Sequence, residues 1–359
     1  VSFKATVTTA ADQIAIAPGY LLEESLEGDR RRFVYEMDAP MQNFFAVLSA
    51  RYASRIEEHD GVQLAVYYHP AHEWNVDRMI QSLRDSISYF GEKFSPYQYR
   101  QMRVLEFPGY ASFAQSFPNT VPWSETIGFI ADITDPESID YVYYVGAHEV
   151  AHQWWAHQVS AANVQGQSSI IETLSQYSAL MLMEREYGPH IMRRFLKYEL
   201  DNYLSSRGGE AIEEMPLYRV ESQGYIHYRK GSIVMYALKD YMGQDAVDTA
   251  LRNFVAEAAY KTDPYPTSRD LIRHLREQAT TCASHYSTLL KSGGHQTFRQ
   301  VTERCTPENY YYNYYEMLAN WEQYFGLASL DVALFSRQYF HNGDLLDDFT
   351  ARVAPELLG

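Results

Sequence analysis

The sequence predicts an α+β fold in which a mixed sheet is followed by a mainly helical lower half, with the closing part of a β-rich domain ahead of both. Three observations predict it. Residues 1–67 read as short β-prone runs broken by turn residues. Between about residues 61 and 131, alternating strand patterns surround one helical stretch, and from about 134 to 277 helical patterns dominate.

In the opening segment, Phe3 to Thr9 is β-prone around Val7, residues 13–17 alternate, Pro18-Gly19 turns, and Arg32-Phe33-Val34-Tyr35 resumes a strand. The basic run Gly28-Asp29-Arg30-Arg31-Arg32 reads as a solvated hairpin tip. Val62 to Tyr68 alternates like a half-buried strand, and a helix is expected from Asn75 to about Phe94. Residues 102–107 and 127–131 are two further expected strands. Thr134-Asp135-Pro136-Glu137 has the form of a capping box with Pro in the first turn, so a helix is expected from there to about Val159. Residues 160–167 make a connector, Ser168 or Ser169 can cap the next helix, and Gly188-Pro189 ends it. Residues 1–67, 68–275 and 276–359 are the expected domains.

Composition narrows the partners. Hydrophobic residues are 46% of the 359 and charged residues 21%, an ordinary globular balance. A formal charge of −16 argues against nucleic acid or an anionic membrane surface as a partner. Both cysteines, Cys282 and Cys305, lie in the last segment, so a metal held farther upstream must use His and carboxylate. No run is long and apolar enough to cross a bilayer, and Val1-Ser2-Phe3-Lys4 has no signal-peptide features. The chain begins without Met inside a β-rich pattern, as a fragment of something longer would.

His148-Glu149-Val150-Ala151-His152 is an H-E-x-x-H pattern. Residues four apart stack on one helix face, so both imidazoles point at one place, as a metal requires. Glu149 lies one step round the helix, suited to taking a proton from the attacking water rather than to binding the metal. A catalytic zinc usually takes three protein ligands, and Glu172, in the first turn of the next helix, is the best third. His157 and His227 read as structural histidines.

With these residues in place, the chain resembles the aminopeptidase N family of zinc peptidases, locally through His148 to Trp155. More narrowly it is similar to the bacterial branch in which this domain follows transporter-like membrane segments, through Gln165-Gly166 and Glu172 to Leu180. The likeness covers roughly residues 1–275. It implies a thermolysin-like zinc peptidase domain, one Zn2+ on His148, His152 and Glu172, a peptide substrate, and membrane segments outside this chain. The family's catalytic tyrosine lies in a Y-x-K-G motif, which here is Tyr228-Arg229-Lys230-Gly231, so Tyr228 is expected to hold the oxyanion. The family's G-x-M-E-N loop, whose glutamate holds the substrate's amino terminus, corresponds to Trp123-Ser124-Glu125-Thr126; only the carboxylate of Glu125 matches. Glu125 is expected at the start of the edge strand lining the cleft.

A second departure is spacing. Nineteen residues lie between His152 and Glu172, one more than the common family pattern; Ile171 occupies the strict position and cannot bind zinc, so a one-residue loop insertion is expected. The last segment looks similar to the C-terminal part of a bacterial sulfotransferase-like domain, with Arg276 and Ser284 at that family's phosphate-binding spacing. The strand and phosphate loop that should precede it are missing, so no transferase activity is expected. The expected activity is zinc-dependent removal of amino-terminal residues from peptides. The alternatives are an endopeptidase or dipeptidase with the same chemistry, and a silent peptidase-shaped module of a membrane transporter.

Overall fold

The computed structural model describes residues 1–135 and 138–291, with side chains described as far as 279. It has two compact units, Val1–Leu275 and Arg276–Gly359. Of the second, only the continuation of one helix to Lys291 is described; Cys282, Ser284 and Cys305, with the rest of the sulfotransferase-like segment, lie outside the described side chains.

The amino-terminal part holds a three-stranded antiparallel sheet of β1 (Lys4–Ala10), β4 (Arg30–Glu36) and β3 (Tyr20–Glu27) in the order β1-β4-β3, with β2 (Ile14–Ile16) paired to β5 (Leu48–Ala50). Phe33 and Tyr35 bury one face of β4 against Ala15 and Ala17, and the Tyr35 hydroxyl donates to Ala15 O at 2.8 Å. The Arg-rich run is the β3–β4 hairpin tip, turned at Gly28, with Arg31 and Arg32 paired to Glu24 and Glu23 across the ribbon.

The sheet that carries the site is mixed, in the order β6 (Ala53–His59), β7 (Val62–Tyr68), β8 (Gln101–Phe107), β9 (Thr120–Ser124). β6 and β7 are an antiparallel hairpin, while β7–β8 and β8–β9 run parallel. β8 and β9 are buried at every position, as parallel strands covered on both faces are, and β8 buries Gln101, Arg103 and Glu106 along with its apolar residues. Pro122 is tolerated because β9 is an edge strand. The boundary expected after residue 67 falls inside β7, a strand of this sheet.

The β7–β8 crossover contains α1 (Val76–Lys93), whose buried residues Val76, Met79, Ile80, Leu83, Ile87 and Phe90 follow the helical period. α2 (Tyr141–Ala151) lies across it so closely that a Cβ on Gly146 would come 2.5 Å from Ser82 Oγ, which donates to Tyr143 O. α3 (Leu174–Tyr187), α4 (Met192–Arg207), α5 (Gly231–Met242), α6 (Gln244–Ala258) and α7 (Ser268–Lys291) make up the helical half.

Three local expectations are corrected. α2 begins at Tyr141, not at residue 134, because Asp140 is its cap: its carboxylate accepts from Tyr143 N at 3.0 Å and is itself fixed by Arg78 Nε at 2.6 Å and the Tyr187 hydroxyl at 2.8 Å. Thr134 is occupied locally, donating to Asp132. α2 also ends at Ala151, the chain continuing to residue 159 in irregular turns such as His157 N to His152 O. Residues 127–131 form a turn instead of a strand. Gly128 sits where a Cβ would come 2.6 Å from the Trp123 indole nitrogen, and the Asn75 amide donates to the carbonyls of Gly128 and Ala131. Glu125 consequently follows the end of the edge strand and does not open one.

The connector before Glu172 is pinned at Gly166, which has φ +87° and donates to Val220 O, while Ser169 N and Oγ donate to its carbonyl. A Cβ there would lie 1.9 Å from Tyr218 O. Gly166→Ala combines left-handed backbone strain with a backbone clash and is expected to cost at least about 2 kcal/mol in urea unfolding; a loss under about 0.5 kcal/mol would show that the connector is not held this tightly.

Candidate metal centre and active site

α2 and the first ten residues of α3 are wrapped in core on nearly every side: nine residues of α2 and all of Leu174–Met183 are buried. Polar side chains in such helices need partners close by. His148 lies on α2, His152 caps its end, and their Nε2 atoms stand 3.0 Å apart. Glu172 Oε2 lies 3.5 Å from His148 Nε2 and 3.3 Å from His152 Nε2. One ligand atom from each residue falls within a group no wider than 4.8 Å.

Glu172 is presented by a π-helical turn, Ser169–Thr173, that runs directly into α3. A π turn contains one residue more than an α turn. The π turn lies at the end of the connector in which the extra residue between His152 and Glu172 was expected.

The donor set fits a zinc ion. Ser175 Oγ gives its proton to Ile171 O, so at 3.0 Å from His152 Nδ1 it accepts the ring N–H and leaves the Nε2 lone pair facing His148 and Glu172. Glu172 Oε2 is buried with no hydrogen bond of ordinary geometry. Burial opposes charge on both partners, yet Glu172 raises His152 to about 9, and burial is likewise outweighed at Glu172, which the histidines hold well below the usual carboxylate range. The pocket favours positive charge beside Glu172. Two imidazoles and a carboxylate are a familiar zinc donor set.

Two other groups face this cluster. Glu149 is buried with Oε2 unpartnered, and burial pushes its carboxyl up, with the histidines pulling it back. Tyr228 stands on a second π-helical segment, Tyr225–Lys230, its ring centroid 5.8 Å from that of His148. Burial, then the neighbouring Glu172, raises its phenol well above the ordinary value, so it remains a proton donor. His157 and His227 lie outside the ligand group; burial, followed by the charge of His152, lowers His157 to about 3, and burial lowers His227.

Glu125 is not among the groups gathered around the two histidines. It belongs to a second cluster with His72 and Glu106. The Glu106 carboxylate is almost wholly buried, accepts from His69 N and bonds the His72 ring; Glu125 Oε1 accepts from Gly109 N at 2.8 Å, and its Oε2 lies 3.9 Å from His72 Nδ1. Sequence reasoning missed His72 and Glu106. The pair His69-Pro70-Ala71-His72 and an acid inside the apolar run of β8 were the available signals.

The Peptidase family M1 domain matches residues 78–291. The chain belongs to this family. It is 23% identical over 274 residues to Aminopeptidase M1 of Arabidopsis thaliana and 22% identical over 269 residues to Aminopeptidase M1-A of Oryza sativa subsp. japonica. Each match covers 72% of this chain and 30% of the relative, so the chain spans about a third of the length of these M1 aminopeptidases. The crystal structure of an M1 zinc metallopeptidase mutant from Deinococcus radiodurans shares the fold, with a TM-score of 0.59 at 17% identity, over 78% of this chain and 62% of that one.

The Ser175 contact yields a test of the centre. Ser175→Ala is expected to weaken zinc binding about 10–100-fold, read by competition with a chelator, and Glu172→Gln to weaken it further. Equal affinity in all three proteins would place the metal elsewhere.

Proposed function

We propose that this M1 domain is the catalytic part of a zinc-dependent aminopeptidase acting on peptides. The observation that carries the reading is the convergence of three metal donors, a buried carboxylate and a protonated phenol on one place. His148, His152 and Glu172 would hold a zinc ion, which when bound would supply Lewis acidity toward a carbonyl and a water. Glu149 takes the proton of the attacking water and passes it to the leaving amine; its raised affinity for protons suits both steps. Tyr228 donates to the oxyanion that develops on the former carbonyl, a contact worth about 100–1,000-fold in rate where such donors have been removed.

Action from the amino terminus is supported by the second cluster. Glu106 and Glu125 bring two carboxylates together, and among the described residues neither is paired with Lys or Arg; His72 is their one partner of that kind. A substrate α-ammonium supplies the missing positive charge, and Glu125, 27% exposed at its side chain, is the accessible member. The resemblance to the transporter-linked branch puts membrane segments outside this chain, as part of the same proposal; no described helix is long and apolar enough to cross a membrane.

Glu149→Gln is expected to keep zinc and fold while losing about 100–10,000-fold in turnover. A peptide library with free and blocked amino termini separates the readings. Single residues released from free termini alone, with a raised KM in Glu125→Gln, support the aminopeptidase; internal cleavage discards the anchor; and zinc-loaded protein that cleaves nothing leaves the silent module.

A further inference from the structure

Glu199 on α4 contributes nothing to either cluster, yet its carboxylate touches α2, α3 and the π-helical segment of Tyr228. It is fully buried. Its Oε1 accepts from the Tyr144 hydroxyl at 2.8 Å and from Gln176 Nε2 at 3.0 Å, and Arg229 Nη1 donates to Oε1 and Oε2 at 3.1 and 3.2 Å. Gln176 Nε2 also donates to the Tyr144 oxygen at 2.9 Å, closing the network.

Each partner sits next to a residue of the site. Tyr144 is one turn before His148 on the same helix, where residues four apart share a face, and Gln176 lies on α3 four residues after Glu172, which stands in the π-helical turn that runs into that helix. Arg229 follows Tyr228 on their π-helical segment. One carboxylate therefore fixes the metal-binding helix, the helix of the third ligand and the segment of the phenol relative to one another.

The charge arrangement gives Glu199 more than a packing role. Arg229 stacks 5.2 Å from the Tyr198 ring and is half-buried with Glu199 as its carboxylate partner. Burial raises the Glu199 carboxyl, and Arg229, Tyr144 and Gln176 oppose that rise.

We infer that Glu199 is a positioning residue for the proposed peptidase reaction, acting through Arg229 on Tyr228 and through Tyr144 and Gln176 on the ligand-bearing helices. The inference rests on the aminopeptidase reading, and its test separates the two. In zinc-loaded protein, Glu199→Gln retains the size of the side chain and removes the charge. It is expected to hold about one zinc, leave KM within about threefold and lower kcat about 10–100-fold, the size of effect that a displacement near 1 Å produces. In a Tyr228→Phe background the same change should cost several-fold less than in the parent, because its route through the phenol is gone while the route through the ligand-bearing helices remains. A loss of equal size in both backgrounds, or kcat within about threefold of the parent, overturns the inference. If Glu199→Gln does not fold, Glu199→Asp, which retains the charge and shortens the reach, takes its place in the same cycle. If the parent protein turns over no peptide, the aminopeptidase reading fails and zinc release to a chelator decides for Glu199: release about tenfold faster from Glu199→Gln supports the positioning role, and unchanged release overturns it.

Discussion

Everything in the catalytic half is arranged around polar groups that have been taken out of water. α2 and the start of α3 are buried nearly all round, yet they carry His148, Glu149, His152, Ser175 and Gln176. An unpaired buried polar group costs several kcal/mol in an apolar setting, so each must be met by a neighbour or a ligand. Ser175 and the Trp155 carbonyl meet one side of His152, and Glu199 meets Gln176. Among the atoms left unpartnered on these elements are His148 Nδ1, the Tyr177 hydroxyl, Glu149 Oε2 and Glu172 Oε2. Of these, Glu172 Oε2 lies 3.5 Å from His148 Nε2 and 3.3 Å from His152 Nε2, a meeting of donor atoms that suits a cation.

The placement of these atoms depends on the packing of helices as much as on the ligands. Gly146 lets α1 and α2 approach until Ser82 bonds a backbone carbonyl, and Asp140, tied to Arg78 on α1 and Tyr187 on α3, starts α2 where those helices need it. The cap is thus a tertiary feature. Thr134 offered a local capping box of good form, but Asp140 has two additional partners that a local pattern does not contain. The same reason accounts for residues 127–131: their apolar alternation suits a strand, while Asn75 and the Trp123 ring, both distant in sequence, fold them into a turn.

The metal donors were legible because their signal is short in range. Two histidines four apart state their geometry in the sequence itself, and the helix start of Glu172 lies a short connector away. His72, Glu106 and Glu199 were not legible. Glu106 is one acid in a strand, and it becomes half of a carboxylate pair only because β8 and β9 lie parallel with Glu106 opposite Trp123, two residues before Glu125. Glu199 sits in a helix with polar residues around it, and nothing in that helix announces that its carboxylate reaches three other elements.

Two π-helical turns flank the site, and one of them presents Glu172. In an α-helix, displacing Glu172 by one position would swing its side chain about 100° around the axis. The wide turn at Ser169–Thr173 sets the direction of Glu172 and runs straight into α3, whose first ten residues are buried. Such turns lack the ordinary bonding pattern and need support from outside. Here the support is the other wide turn: Thr173 Oγ1 donates to His227 O at 2.6 Å, and Gly231 comes so near that a Cβ would lie 2.5 Å from the same hydroxyl. The segment that carries Glu172 and the segment that carries Tyr228 hold each other in place, so ligand and phenol are coupled through the Thr173 side chain before either meets a substrate.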